Sequence, residues 1–374
     1  MKAVIAMSGG VDSSVAALLT QQLGYEVIGI TLKLYSNEEI GVCRDKTCCS
    51  LADVEDARSV ADQLDFPYYV LNFSDAFEEN VIGRFIRAYE SGQTPNPCID
   101  CNRYIKFQSL LTRAEELGFD RLVTGHYARI EQDETKGRWL LKKGRDSVKD
   151  QSYMLYTLTQ EQLAKTLFPL GDMTKERVRE IAAENGLLNA RKRDSQDICF
   201  VPDGDYAGFI ERYKAKTFEP GNFVGTNGEV YGRHKGIVHY TIGQRKGLGL
   251  SFPQPMFVGG IDPVKNEVLL CKSEELFSRE LTAGEINLIA CDSISGPMQV
   301  TAKVRYRHKE QPATVVQTAP DEIRVVFDEP QRAVTAGQAV VLYQGDTVVG
   351  GGKIREVTGY TQAQQPISRS ADLN

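Results

Sequence analysis

The first fourteen residues, MKAVIAMSGGVDSS, restrict the fold more than any other stretch of the chain. Lys2 to Met7 is short and mostly apolar, the pattern of a buried strand. It breaks at Ser8-Gly9-Gly10, passes through Val11-Asp12-Ser13-Ser14, and enters a helical run, Val15 to Leu23, closed by Gly24. A strand, a tight glycine turn and a helix N-terminus together make an anion site. The glycines permit unusual backbone angles, while orphan N–H groups and the positive end of the helix dipole face the ligand. The hydroxyls of Ser8, Ser13 and Ser14 add donors. No lysine follows the glycines, so this is not the GxxxxGK[ST] loop, and the third glycine of a dinucleotide fingerprint is missing. A plain helix cap by Asp12 or Ser13 is the competing reading, weakened by its position directly after a first strand.

SGGVDSS resembles the pyrophosphate loop of the ATP pyrophosphatases, which cleave ATP to AMP and pyrophosphate and adenylate a substrate oxygen. The following segments suit such a fold. Strand patterns at Tyr25–Leu34, Pro67–Phe73 and Arg121–Arg129 alternate with helical patterns at Leu51–Leu64, Asp75–Glu90 and Ile105–Leu117. Alternation of this kind predicts βαβ units and a doubly wound parallel α/β sheet, with ligands at the carboxyl ends of the strands. Ser8–Ser14, the end of the second strand near Leu32, and Gly125-His126 should converge on one crevice. Gln160–Gly186 reads as two short helices around Phe168–Gly171. Beyond Cys199 the texture changes to glycines, short strands and turns, with a hairpin over Val258–Cys271 turning at Asp262–Asn266. From Gln299 onward, Val300, Ala302, Val304 and Tyr306, then Ile323, Val325 and Phe327, then Ala339, Val341 and Tyr343 alternate as in a small antiparallel β-barrel. The expected domains are 1–200 (ATP pyrophosphatase, with a helical insert near 160–190), 201–278 (a small central domain) and 279–360 (the C-terminal barrel). A disordered polar tail is expected over 361–374.

A chain of 374 residues is long enough for several cores. No apolar run can span a bilayer and the N-terminus is a strand, so the expected location is the cytoplasm with no membrane partner. Eight cysteines without a secretory signal favour catalytic or metal roles over a disulfide scaffold. The net charge of −6 does not advertise a nucleic-acid binder. An RNA partner therefore requires basic residues gathered on one face. Basic clusters occur at Lys142–Arg145, Arg191–Arg193, Arg233–Lys235, Arg245-Lys246 and Lys303–Lys309.

Two further stretches carry chemistry. In Thr94-Pro95-Asn96-Pro97-Cys98-Ile99-Asp100-Cys101-Asn102 the prolines predict a rigid, non-helical segment, with Asn102 capping a helix that begins near Tyr104. Cys101 would then lie near a helix N-terminus beside Arg103 and Lys106, a setting that lowers a thiol pKa. Half of a structural zinc site is the alternative, but no second Cys-x-x-Cys exists. Asp194-Ser195-Gln196-Asp197-Ile198-Cys199-Phe200 supplies a third thiol. Cys43, Cys48 and Cys49 follow the second strand and read as incidental or buried.

Taken together, SGGVDSS, NPCIDCN followed by IKF, GHYAR (Gly125–Arg129), KDQSY (Lys149–Tyr153), DSQDICF, YTIGQRKGLG (Tyr240–Gly249) and VRYRH (Val304–His308) resemble one family, in its order and to about Val357. It is the bacterial tRNA-specific 2-thiouridylases, which replace the carbon-2 oxygen of the wobble uridine with sulfur. The resemblance implies that Ala6, Met7, Ser8, Gly9, Gly10, Val11, Asp12 and Ser13 hold ATP, with Leu32 and Gly125 lining the adenosine site and Mg²⁺ offsetting phosphate charge. It implies that Cys199 carries a persulfide and that Cys101 forms a disulfide with it as sulfur leaves. It places Asn96, Pro97 and Cys98 at the target base, and His126, Lys149, Asp150, Gln151, Arg305, Tyr306 and Gln338 on the tRNA. An upstream sulfur donor, a cysteine desulfurase or relay protein, would load the persulfide. The base must leave the anticodon stack to react.

One departure opens an alternative. Many members carry Asp where this chain has Cys98, so Cys98, Cys101 and Cys199 can be the three ligands of an iron–sulfur cluster that activates sulfur in the same reaction. Other adenylating ATP pyrophosphatases, and a non-catalytic RNA-binding protein on the same fold, are the remaining readings. Neither needs a pair of cysteines with a basic barrel.

Overall fold

The computed structural model describes residues 1–36, 51–192 and 198–358, which fall into two compact units. The first comprises Met1–Gly83, Pro97–Asp205 and Gly345–Gly350; the second comprises Arg84–Asn96, Tyr206–Gln344 and the chain from Gly351. Cys43, Cys48, Cys49, the segment 193–197 and the tail from 359 lie outside the described residues.

In the first unit, β1 (Lys2–Ala6), β2 (Glu26–Lys33), β3 (Tyr68–Asn72) and β4 (Arg121–Val123) are parallel. Their order is β3-β2-β1-β4, with the two-residue strand Thr166–Leu167 beyond β4. Ala3, Val4 and Ile5 are fully buried although they point alternately to the two faces. That is why β1 reads as a continuous apolar run rather than an alternating one. Ala6 lies beside Ile30, and Ile5 beside Val123. Because β1 sits between β2 and β4, the strand order reverses at β1, and a crevice opens beyond the carboxyl ends of β1 and β4.

α1 (Val11–Gln22) buries Val15, Ala16, Ala17 and Leu18 in a core shared with Ala57, Val60 and Ala61 of α2 (Leu51–Gln63). Val178, Ile181 and Ala182 of the helix Lys175–Glu184 complete it. Each large aliphatic side chain so buried stabilises the unit by about 1.5–3 kcal/mol. The small Ala16, Ala17, Ala57, Ala61 and Ala182 let the helices approach closely enough to hold the loop after β1 on several sides.

Three expected elements come out differently. The strand expected over Arg121–Arg129 ends at Val123; Thr124–Tyr127 are irregular, and Ala128–Asp133 pairs instead with Arg138–Lys143 as a hairpin. The segment around the prolines is helical from Pro97, not rigid coil, because proline at a first helical position gives up an N–H that has no partner there anyway. That helix widens into a π-helix over Cys101–Leu110 before continuing to Glu116. A helix, Tyr206–Lys214, also occupies ground that reads as loop and short strand.

In the second unit, a four-stranded sheet runs Phe257–Asp262, Glu267–Cys271, Asn222–Gly225, Val230–Arg233 in spatial order. Its hairpin turns where expected: Asp262 Oδ1 accepts from Val264 and Lys265 N–H, each at 3.0 Å, and Asn266 takes φ of 54°. The remaining strands, Phe277–Leu288, Met298–Lys303, Gln311–Ala319, Glu322–Arg332, Ala339–Gln344 and Thr347–Thr358, form an antiparallel barrel closed by pairing of the first with the last. Val300, Ala302, Val304, Ile323, Val325, Phe327, Ala339, Val341 and Tyr343 are buried as expected, whereas Tyr306, expected to continue the first of these runs, lies in a turn past that strand's end at Lys303 and is only half-buried. No described helix is long and apolar enough to cross a membrane.

Candidate active site

The loop after β1 is built to leave backbone donors exposed to an anion. Gly9 takes φ of 70°, and a Cβ there would lie 2.2 Å from the Asp53 carbonyl oxygen, so only glycine fits. Ser13 Oγ accepts from Ser8 N–H at 3.2 Å and donates to Gly10 O at 3.0 Å; Ser14 Oγ donates to Gly10 O at 3.1 Å. These hydroxyls brace the loop internally. No side chain caps α1, whose first-turn N–H groups stay available to a ligand. Gly125 lies against the same loop: a Cβ on it would come within 2.7 Å of the Asp12 carbonyl carbon and 2.9 Å of Ser13 N. Leu32 stands two residues past Ile30, the β2 neighbour of Ala6. The expected nucleotide residues Ala6–Ser13, Leu32 and Gly125 thus share one edge of the sheet.

Two unforeseen residues govern Asp12. Tyr127 Oη and Lys175 Nζ both donate to Asp12 Oδ1, each at 2.7 Å, and the Lys175 side chain is only 7% exposed. Tyr127 belongs to the GHYAR stretch, but nothing local marks Lys175, which begins a helix capped by Thr174. Asp146 ties that helix to the KDQSY segment: its Oδ2 accepts from Lys175 N–H at 3.0 Å, and its Oδ1 accepts from Val148 and Lys149 N–H. Partial burial opposes ionisation of Asp146, yet these backbone donors outweigh it and hold the carboxyl below its ordinary range.

Several residues expected on the RNA also hold the protein's own backbone and core. Asp150 is buried, its carboxylate accepting from Gly144 N–H, Ser152 N–H and Ser152 Oγ. Gln151 exchanges two 2.9 Å hydrogen bonds with the Tyr127 backbone. They shape the wall behind Asp12; of that trio, Lys149 is the cation, half-buried at the surface. His126 is buried too, its Nδ1 2.7 Å from Thr124 Oγ1 and its ring against Phe107 and Phe168. Burial first, and Lys106 second, push its pKa well below the ordinary histidine range. In the second unit Gln338 Nε2 donates to Thr94 O at 2.8 Å and to Pro95 O at 3.3 Å. Thr94 N–H reaches Ala336 O at 3.1 Å, so Gln338 fixes the backbone entering Asn96. Arg305 donates to the Ala333 carbonyl, and Lys303 lies 6.0 Å over the Tyr306 ring.

The neutral histidines carry a pH consequence. His234 in the second unit is buried, accepts at Nδ1 from Gly236 and Gly221 N–H, and bonds Asn266 O through Nε2; burial leads in lowering its pKa. With folded pKa values below the unfolded one, the unfolded chain binds the extra protons. The stability from neutral His126 and His234 is complete above the unfolded histidine pKa, near 6.5, and is lost as pH falls below it. Urea unfolding between about pH 7.5 and 5 should show stability falling by up to about 1.4 kcal/mol per pH unit for each ring. The variant His126→Phe should flatten part of that fall; an identical profile in the variant would remove His126 as a cause.

The thiols depart from expectation in their chemistry. Cys101 lies in the second turn of a helix that starts at Pro97, not at an N-terminus, so it escapes the dipole's strongest field. Burial pushes its thiol up, against Lys106 and with Asp100. Asn102 caps nothing: it is buried, donates Nδ2 to Met154 O at 3.2 Å, and leaves Oδ1 without a partner. Cys98 is exposed one helical turn before Cys101.

Cys199 is pinned from another side. Tyr35, just past β2, donates its hydroxyl to Cys199 O at 2.8 Å. The Tyr35 ring meets Phe77, and Phe77 meets Phe200 edge-on at 5.7 Å. The short helix Ser74–Phe77 packs in turn on the Cys101–Leu110 π-helix. One aromatic wedge therefore carries both cysteine segments. Cys98, Cys101 and Cys199 are not gathered into a metal-holding group: among the described residues no three His, Cys, Asp or Glu side chains are placed to hold an ion. The cluster alternative loses its geometric basis.

With this geometry in view, comparison with known proteins is specific. Residues 1–203 match the family model described as "tRNA methyl transferase HUP domain", 207–272 "tRNA methyl transferase PRC-barrel domain", and 278–354 "Aminomethyltransferase beta-barrel domain". The chain is 53% identical over 355 residues to the tRNA-specific 2-thiouridylase MnmA of Clostridioides difficile, spanning 95% of this chain and 98% of that protein. It is 55% identical over 354 residues to the protein of the same name from Moorella thermoacetica, spanning 95% and 99%. The protein of that name from Lachnoclostridium phytofermentans is 53% identical over 354 residues, spanning 94% and 99%.

Proposed function

The chain belongs to the tRNA-specific 2-thiouridylases, and from that premise we propose how its residues divide the reaction. The enzyme is a tRNA-uridine 2-sulfurtransferase that uses ATP. The methyl transfer named in the family-model descriptions finds no support in its full-length relatives, which are thiouridylases. ATP lies across Ala6–Ser13, with Leu32 and Gly125 beside the adenosine and the first-turn N–H groups of α1 on the phosphates. Asp12, the carboxylate of the loop, would hold a divalent cation such as Mg²⁺ together with the phosphates, and that cation would supply charge neutralisation there.

A uridine carbonyl is a poor electrophile because its oxygen leaves badly. In the first half-reaction the wobble uridine O2 attacks the α-phosphorus and pyrophosphate leaves, which converts that oxygen into a good leaving group. In the second, the terminal sulfur of a Cys199 persulfide attacks carbon 2 and AMP leaves. Cys101 then attacks Cys199 Sγ; the sulfur stays on the base, a Cys101–Cys199 disulfide forms, and an external thiol reduces it. Burial keeps Cys101 protonated at rest, which guards the persulfide from early attack. Asn96, Pro97 and Cys98 lie at the target base, with Gln338 holding the strand that enters them. Lys149, Arg305 and Tyr306 are placed on the tRNA. A cysteine desulfurase or relay protein loads the persulfide, in the cytoplasm, where tRNA and reduced thiols coexist.

The observation that carries this reading is the 2.8 Å hydrogen bond from Tyr35 to Cys199 O. It pins the sulfur-bearing segment just beyond β2, on the carboxyl edge where the nucleotide loop lies. The test is mass spectrometry of wobble nucleosides after unmodified tRNA is incubated with enzyme, ATP, Mg²⁺ and a persulfide source. One oxygen replaced by one sulfur in the uridine, only when ATP is present, is the expected result. A methyl increment, or sulfur appearing without ATP, would overturn it.

A further inference from the structure

Between the helix Lys175–Glu184 and the sulfur-bearing segment, the chain reaches back to the nucleotide loop. Asn189, 5% exposed, donates Nδ2 to Gly9 O at 3.1 Å and to Ser14 Oγ at 2.8 Å, while its buried Oδ1 has no partner. Lys192 Nζ reaches the same Gly9 O at 3.1 Å, and also Asp53 Oδ1 at 2.6 Å and Asp56 Oδ2 at 2.5 Å on α2. Arg179 holds the tract from outside, donating to the carbonyls of Ala190 and Lys192. Two donors, one of them charged, thus converge on a single loop carbonyl.

The peptide bond makes that convergence consequential. In a trans peptide the C=O and the following N–H point in opposite directions. Donors fixed on the Gly9 carbonyl therefore aim the Gly10 N–H away from themselves. A cation on the oxygen also polarises the unit and strengthens that N–H as a donor. The Gly9–Gly10 pair has the backbone freedom to turn otherwise, so something must hold it.

We propose that Asn189 and Lys192 are positioning residues that set the Gly9–Gly10 peptide for phosphate binding. This rests on the nucleotide site given above.

The test uses Lys192→Met and Asn189→Ala in the full chain. tRNA-dependent pyrophosphate release and 2-thiouridine formation are measured together, at a temperature where circular dichroism shows each variant folded. Wild-type enzyme must first show both activities; if it does not, the functional reading fails before this one is reached. The expected result is a KM for ATP raised about tenfold in either variant, with thiouridines formed per pyrophosphate released unchanged, and recovery of the KM in Lys192→Arg. An unchanged KM for ATP in a folded variant would overturn the proposal. So would loss of thermal stability alone, which marks Lys192 as a brace. If Lys192→Met does not fold, Asn189→Ala decides by the same KM.

Discussion

Cys199→Ala should still release pyrophosphate from ATP in the presence of tRNA while losing 2-thiouridine formation. Adenylation needs the loop after β1, which does not contain Cys199. The Cys199 backbone carbonyl still accepts from Tyr35, and Phe200 still packs on Phe77, because neither contact uses the thiol. The segment therefore stays in place and only the sulfur atom is lost. Product formation should fall by about a thousandfold or more, the scale on which loss of a covalent participant is usually felt. Pyrophosphate release and thiouridine yield, measured in one reaction mixture, separate the two steps. Adenylated tRNA should accumulate, or hydrolyse to AMP and unchanged uridine. Thiolation persisting in this variant would move the sulfur carrier elsewhere, with Cys98 and Cys101 the next candidates. Loss of both activities would instead make Cys199 part of the nucleotide site.

How much of this was legible beforehand depends on how local the signal is. The loop Ser8–Ser14 declares itself because strand, glycines and helix start are contiguous, and Gly125 because it stands at the end of a short apolar strand. The hairpin over Val258–Cys271 and the barrel strands are legible for the same reason: period-two alternation interrupted by turn residues is a local pattern. Lys175, Asn189 and Lys192 leave no such trace. Each meets its partner across more than a hundred residues, through a side chain that also suits a solvated helix face. The helix starting at Pro97 was hidden by a real ambiguity: proline breaks a helix interior but initiates one well, and Asn102 looks like a cap until its amide turns to Met154. Cys101 was misjudged in consequence. The basic neighbours Arg103 and Lys106 are visible in the sequence, whereas the burial that outweighs Lys106 is not. Asp150, Gln151 and Gln338 illustrate the converse case, polar residues in strong motifs that serve backbone carbonyls and N–H groups first.

Asp12→Ala should abolish the first half-reaction and with it everything downstream. The carboxylate occupies the first turn of α1, at the positive end of the helix and among the N–H groups assigned to the phosphates. There it takes hydrogen bonds from both Lys175 and Tyr127. Removing it does two separable things. It deletes the loop's acidic ligand for a phosphate-bound cation, and it strips the buried Lys175 ammonium of its carboxylate. The second effect alone should cost about 1–3 kcal/mol, less than breaking a fully buried pair because Asp12 is partly exposed. Asp12→Asn keeps the shape and an acceptor for Tyr127 but loses the charge, so it should retain more stability while pyrophosphate release still drops by about a hundredfold or more. Lys175→Met in the Asp12→Asn background removes the cation that Asp12 balances. The double variant should recover thermal stability relative to Asp12→Asn without recovering activity, a coupling that a double-mutant cycle reads directly. Should Lys175→Met restore pyrophosphate release as well, Asp12 acts only by neutralising Lys175, and the cation-binding role falls to the phosphates alone. Should Asp12→Asn be fully active, the loop works through its backbone donors and the serine hydroxyls, and its single carboxylate belongs to the fold rather than to the chemistry.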